Sequence, residues 1–206
     1  MMRSTIAALG VAVVLAASAA PIAAQQSPAR LGVFGGVTYP RGSDFSDIAK
    51  RGWNAGVLIS LGAPPFPLSF RIDGQWHQID GKTITLPDVG SRRTDYRIID
   101  GTANFEWTLG APRASNLYLI AGAGVYKLRG KSHLTPGNVL GGVAETETAE
   151  ATKFGWNAGA GLRLNAIGHG LFIEARYHAV RHGHDVDVTG SSKSLHFIPI
   201  EIGFTL

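Results

Sequence analysis

The sequence predicts an all-β protein, an eight-stranded antiparallel up-and-down transmembrane β-barrel. Three observations carry this. Apolar residues recur with period two rather than 3.6 in segment after segment. The composition is glycine-rich and charge-poor, with 27 glycines in 206 residues and 17% charged residues, against about 25% in an average domain. Long and short connections alternate along the chain, as a meander of strands requires.

Residues 1–24 read as a removable signal peptide. Met1 to Arg3 give a positive start, Thr5 to Ala20 form an uncharged Ala/Val/Leu stretch, and Pro21-Ile22-Ala23-Ala24 offers small residues for cleavage before Gln25. Residues 25–206 then form one domain of ordinary size. No later stretch is apolar for long enough to cross a bilayer as a helix, so later membrane contact falls to strands. Absence of cysteine excludes a disulfide framework, a thiolate metal site and a cysteine nucleophile. A formal charge of +4 is too small to argue for nucleic acid.

The strands follow in order. Leu31, Val33, Gly35, Val37 and Tyr39 alternate with polar or small residues, as do Trp53, Ala55, Val57, Ile59 and Leu61. The clearest case is Leu68, Phe70, Ile72, Gly74 and Trp76 set against Ser69, Arg71, Asp73, Gln75 and His77. Ile99 to Leu109 repeats the pattern. Leu117 to Leu128 is apolar on both faces, so its strand character is plain and its register is open. Trp156 to Leu164, Leu171 to Tyr177 and Ile198 to Leu206 complete the set; the alternation reaches Leu206, so no periplasmic domain is expected beyond it. Connections around Arg41 to Lys50, Ile79 to Arg93, Gly130 to Ala151 and Arg181 to Lys193 read as the long loops. Gly62 to Pro65, Gly110 to Ser115 and Asn165 to His169 read as the short ones. Gly52-Trp53-Asn54-Ala55-Gly56 recurs as Gly155-Trp156-Asn157-Ala158-Gly159, which marks two equivalent strand positions.

Two exported architectures fit: a soluble carrier with apolar residues inside, and a membrane barrel with them outside. The polar face favours the second. It carries Arg71, Asp73, His77, Asp100, Glu106, Arg163, Glu174, Arg176 and Glu201 near strand middles, beside Gly32, Gly36, Gly56, Gly159 and Gly161. A narrow interior needs small residues beside large ones and needs its charges paired. Tyr39, Trp53, Trp76, Trp107, Trp156, Tyr177 and Phe204 fall near strand ends on the apolar face, where interfacial girdles belong.

These residues resemble the small eight-stranded outer-membrane barrels of Gram-negative bacteria, the OmpA-like and OmpX-like group, over nearly all of the mature chain. The similarity rests on Ala121 to Tyr126, Gly155 to Gly161, Phe172-Ile173-Glu174-Ala175-Arg176-Tyr177 and Ile198 to Phe204, taken in order. The resemblance implies an outer-membrane location, both termini in the periplasm, long loops outside the cell, and insertion by the barrel-assembly machinery through the last strand. The chain departs from the family by ending in Leu206 rather than an aromatic residue, with Phe204 two positions earlier.

The resulting expectation is a non-enzymatic envelope or surface-interaction protein without a wide pore or cofactor, its surface partner unidentified. A soluble carrier and a lipid-modifying barrel enzyme are the alternatives. Arg71, Asp73, Glu106, Arg163, Glu174, Arg176 and Glu201 are the candidate lumenal ion-pair network. Arg92, Arg93, Arg129 and Lys131 are candidate contacts for lipopolysaccharide phosphates. His182, His184, Asp185 and Asp187 crowd one loop without the spacing of a metal motif, and read as a solvated polar segment. His77, His133, His178, His182 and Ser194 are available for acyl chemistry but lack an enzyme's spacing.

Overall fold

The computed structural model describes residues 29–62, 67–86, 90–110, 115–136, 145–166, 169–181 and 194–206. The leader and the loop bearing His182, His184, Asp185 and Asp187 lie outside the described residues. Described elements are β1 (Ala29–Arg41), α1 (Ser43–Ile48), β2 (Ala49–Leu61), β3 (Leu68–Gly81), β4 (Thr83–Leu86), β5 (Gly90–Leu109), β6 (Ser115–Pro136), β7 (Glu145–Ala166), β8 (His169–Val180) and β9 (Leu195–Thr205).

Each long strand pairs antiparallel with its chain neighbour, and β1 pairs with β9. β3 and β5 pair directly, Leu68 opposite Trp107 through Ile79 opposite Tyr96, so eight strands close into a barrel. The short β4 stands outside that ring, pairing with Gly90 to Arg93 of β5. Closure satisfies every ladder edge along the wall, which is what allows strands to cross an apolar medium.

Burial alternates as the period-two pattern requires. In β3, Arg71, Asp73, Gln75, His77 and Ile79 are buried, while Leu68, Ile72 and Trp76 are exposed. The barrel is therefore inverted relative to a water-soluble one. Val33, Val57, Ile99, Phe105, Val125, Phe154, Ile173 and Ile202 all face outward. Trp53, Trp76, Trp107, Trp156 and Phe204 are exposed on the same face, with Trp53 and Trp76 rings 6.2 Å apart and Trp156 5.7 Å from Tyr177.

The open register of the fifth barrel strand is now fixed: Tyr118, Ile120, Tyr126 and Leu128 point inward, and Leu117, Leu119 and Val125 outward. Glycine makes room for the two tyrosines. A Cβ at Gly161 would overlap the Tyr118 ring, and one at Gly155 would press on Tyr126. At the short β5–β6 turn, Gly110 takes a φ of 82°, a conformation that favours glycine.

The long connections differ most from the sequence reading. Ile79 to Arg93 and Gly130 to Ala151 are largely strand rather than loop: β6 and β7 each run 22 residues, about twice the ~9 to 11 that cross a bilayer. Their outer halves carry Thr, Ser, Glu, Lys and Arg on both faces because both faces meet water, so the apolar alternation that marks a half-buried strand is missing. Arg41 to Lys50 contains α1, entered through Gly42 at φ 80°. It places Phe45 inside the mouth, edge-on to Tyr96 at 5.3 Å. Phe45 joins Ile79, Tyr96, Ile98, Tyr126, Leu128, Val180, Leu195 and Phe197 in an apolar layer across the long-loop end.

Candidate functional site

Alternation along β3, β5, β7, β8 and β9 turns one face of each strand into the lumen, and the charged residues of those faces meet there. Arg71 Nε lies 2.7 Å from Asp73 Oδ1, and Arg71 Nη1 lies 2.8 Å from Glu174 Oε2 and 3.8 Å from Glu106 Oε2. Arg176 reaches Asp73 Oδ2 at 3.0 Å and Glu201 Oε2 at 3.3 Å. Its Nε is 2.7 Å from Glu174 Oε1 without hydrogen-bond alignment, so that contact is an ion pair only. Arg163 holds Glu106 with both terminal nitrogens, at 2.8 and 2.9 Å. All seven residues singled out for a lumenal network thus sit in one connected set.

Neutral groups complete it. Tyr118 donates its hydroxyl to Glu174 Oε2 at 2.7 Å, and Asn104 donates to Asp73 Oδ2 at 2.7 Å while accepting from Asn157 at 2.8 Å. The Arg71 guanidinium also packs against the neighbouring rings of Phe34 and Phe172, 5.7 and 5.2 Å from their centroids. Three arginines face four carboxylates here, and the arrangement holds because each charge has an opposite partner where water is scarce.

A second polar layer lies nearer the long-loop end and was only partly visible in the sequence. Thr38 Oγ1 is 2.8 Å from His77 Nδ1, whose Nε2 is 3.0 Å from Asp100 Oδ2, and Asn54 donates to Thr38 at 3.0 Å. Across the lumen Tyr126 and His178 share a hydrogen bond of 2.9 Å, and His178 stacks on Phe197 at 4.8 Å. Thr38, His77 and Asp100 have the order of a nucleophile, base and orienting acid. All three are buried, beneath the Phe45 layer. His77 and Asp100 stand out in the sequence as polar, ionisable breaks in apolar strands; Thr38 and Asn54 give no such signal.

His133 is on the exterior sheet, 3.3 Å from Thr146, and Ser194 is exposed. Among the described residues, no group of three His, Cys, Asp or Glu side chains is placed to hold a metal.

The outer halves of β5, β6 and β7, with β4, continue the wall as a sheet beyond the aromatic belt. Register separates the four arginine and lysine candidates. Arg92 shares the face of inward-pointing Tyr96, donates to Ser132 Oγ at 3.1 Å, and lines a pocket with Leu134 and Glu147. Arg93, Arg129 and Lys131 lie on the opposite, outward face, together with Arg97 and Lys127. Parity counted from outward-facing Ile99 and Val125 identifies those two. Arg93 is engaged by Asp95 at 2.9 Å and Asp80 at 3.6 Å. Burial raises the Asp95 carboxyl, but the Gly81 N–H and the Arg93 guanidinium outweigh it and hold the group below its ordinary range.

No protein-family model matches the chain, and no curated protein matches it. Solved structures do. Neisserial surface protein A aligns with a TM-score of 0.54 at 13% identity, covering 87% of this chain and 97% of that one. A major outer membrane protein from Thermus thermophilus aligns with a TM-score of 0.52 at 11% identity, covering 87% of this chain and all of the other. At these identities the likeness is one of fold: the chain has the closed eight-stranded up-and-down barrel of small outer-membrane proteins.

Proposed function

We propose that the chain is an integral outer-membrane barrel of a Gram-negative bacterium. It is non-enzymatic and sealed to bulky solutes; it serves the envelope and presents its exterior sheet to a surface partner. The observation that carries this reading is the inversion of the barrel. Arg71 and Arg176, the largest fully buried side chains, occupy the interior while Ile, Val, Leu, Phe and Trp cover the wall. A soluble carrier for an apolar ligand needs an open apolar lumen; this lumen is filled by ion pairs, tyrosines and the Phe45 layer. Thr38, His77 and Asp100 lie under that layer, where a lipid substrate has no approach. The fold shared with surface and outer-membrane proteins supports the same location, and β9, apolar outward at Ile200, Ile202 and Phe204, suits recognition by the barrel-assembly machinery.

Membrane fractionation followed by electrophoresis of boiled and unboiled samples tests the reading. Recovery in the outer membrane with a heat-dependent mobility shift is expected. Soluble protein without a shift would overturn it.

A further inference from the structure

We infer that the outward face of β5 and β6, just beyond the aromatic belt, is a seat for the phosphorylated headgroup of an outer-leaflet glycolipid of the lipid A type. The inference rests on the outer-membrane reading above and adds a partner to it. Arg97 and Arg129 are directly opposite each other across β5 and β6, and Lys127 and Lys131 occupy the adjacent outward positions on β6. Like charges facing each other across a ladder are destabilising unless an anion lies between or beside them. One carboxylate is at hand: Glu150 of β7 is 3.2 Å from both Lys127 Nζ and Arg129 Nε. Asp95, the residue opposite Lys131, is taken by Arg93. With Arg93 counted, five cations on this face stand against three carboxylates, Asp80, Asp95 and Glu150, which leaves an excess of positive charge, and Lys131 has no carboxylate within ion-pair distance among the described residues.

Position decides the kind of anion. Two residues along each strand toward the barrel, Lys127 gives way to Val125 and Arg97 to Ile99, both exposed and apolar. Arg97 lies 5.0 Å from the centre of the Trp76 ring, which ties the cluster to the belt where headgroups begin. Below, Gly101 opposes Val125 and Ala103 opposes Ala123, and a Cβ added at Gly101 meets nothing within 4 Å. The wall is shallow there, with room for acyl chains under a headgroup held by Lys127, Arg129 and Lys131. Guanidinium and ammonium donors match phosphate oxygens. Arg92 points to the other face of the sheet and belongs to a different environment.

Native mass spectrometry of the mature protein in zwitterionic detergent, titrated with bisphosphorylated lipid A and with its dephosphorylated form, tests the seat. The phosphorylated lipid should bind at least about tenfold more tightly, the scale of one or two charge-assisted hydrogen bonds. The combined Lys127→Gln, Arg129→Gln and Lys131→Gln variant should lose that preference, and Arg92→Gln should keep it. A preference surviving the triple change, equal binding of the two lipids, or chain dimers in place of lipid adducts would each overturn the seat. A heat-dependent mobility shift retained in the triple variant shows that it still folds. Loss of that shift in the wild type instead sinks the outer-membrane reading itself.

Discussion

Arg163 grips Glu106 with two parallel contacts, Nη1 to Oε1 at 2.8 Å and Nη2 to Oε2 at 2.9 Å, while Arg71 stands 3.8 Å from the same carboxylate on the other side. The fork joins β7 to β5 over the strand between them, β6, so it links strands that are not neighbours in the wall. Side chains thus brace the barrel from within, in addition to the ladder around its circumference.

Removing Arg71 leaves Asp73 and Glu174 each short of a partner in a dry interior. Arg71→Met should destabilise the folded barrel by about 3 to 5 kcal/mol, as broken buried pairs do. Arg163→Met should cost less, because that side chain is 12% exposed and water can screen what remains. Urea unfolding in lipid vesicles, followed by the mobility shift, gives the order of the two.

Packing predicts a contrast between two glycines. Gly161→Val drives a side chain into the Tyr118 ring and should cost about 1 to 3 kcal/mol or prevent folding. Gly101→Val meets open space on the lipid-facing wall and should unfold at nearly the wild-type denaturant concentration. Equal effects would show that the inward and outward faces of the wall are assigned wrongly.

Acid should open the exterior sheet before the barrel. The folded Asp95 carboxyl is held below its unfolded value, so its contribution is present above the unfolded carboxylate range, about pH 4, and is lost as pH falls through the lower folded value. Hydrogen exchange at the Gly81 amide, which donates to Asp95 Oδ1 at 3.0 Å, should therefore lose protection below about pH 4 once corrected for intrinsic rate. Asp95→Asn should remove that pH dependence.

A filled lumen should not conduct like an open porin. Phe197 is fully buried in the apolar layer, 5.0 Å from His77 and stacked on His178. Planar-bilayer recordings should show no steady wide pore for the wild type, and Phe197→Gly should raise small-ion conductance by thinning the layer. Large stable steps from the wild type would contradict a sealed interior.

Seven strands were legible because one face of each is apolar and the other polar, and the charged network was legible because Arg71, Glu174 and Arg176 interrupt apolar runs. The register within Leu117 to Leu128 was not, since Tyr118 and Tyr126 look apolar in sequence yet turn inward and use their hydroxyls on Glu174 and His178. The exterior sheet was hidden for a different reason: strands wetted on both faces lose the pattern that identifies them. That loss also concealed the division of Arg92 from Arg93, which depends on parity carried outward from the barrel. Phe45 carries no periodic signal, because a polar connection delivers it to the lumen.

The inverted barrel is tested most directly by site-directed spin labelling. The chain has no cysteine of its own, so single labels can be placed at Phe105→Cys, Ile173→Cys and Ile202→Cys, all on the apolar wall. In lipid vesicles each label should be relaxed strongly by oxygen and weakly by a water-soluble nickel complex. Labels reached by nickel, or immobilised and shielded from both, would place these side chains in water or inside the barrel and contradict the account.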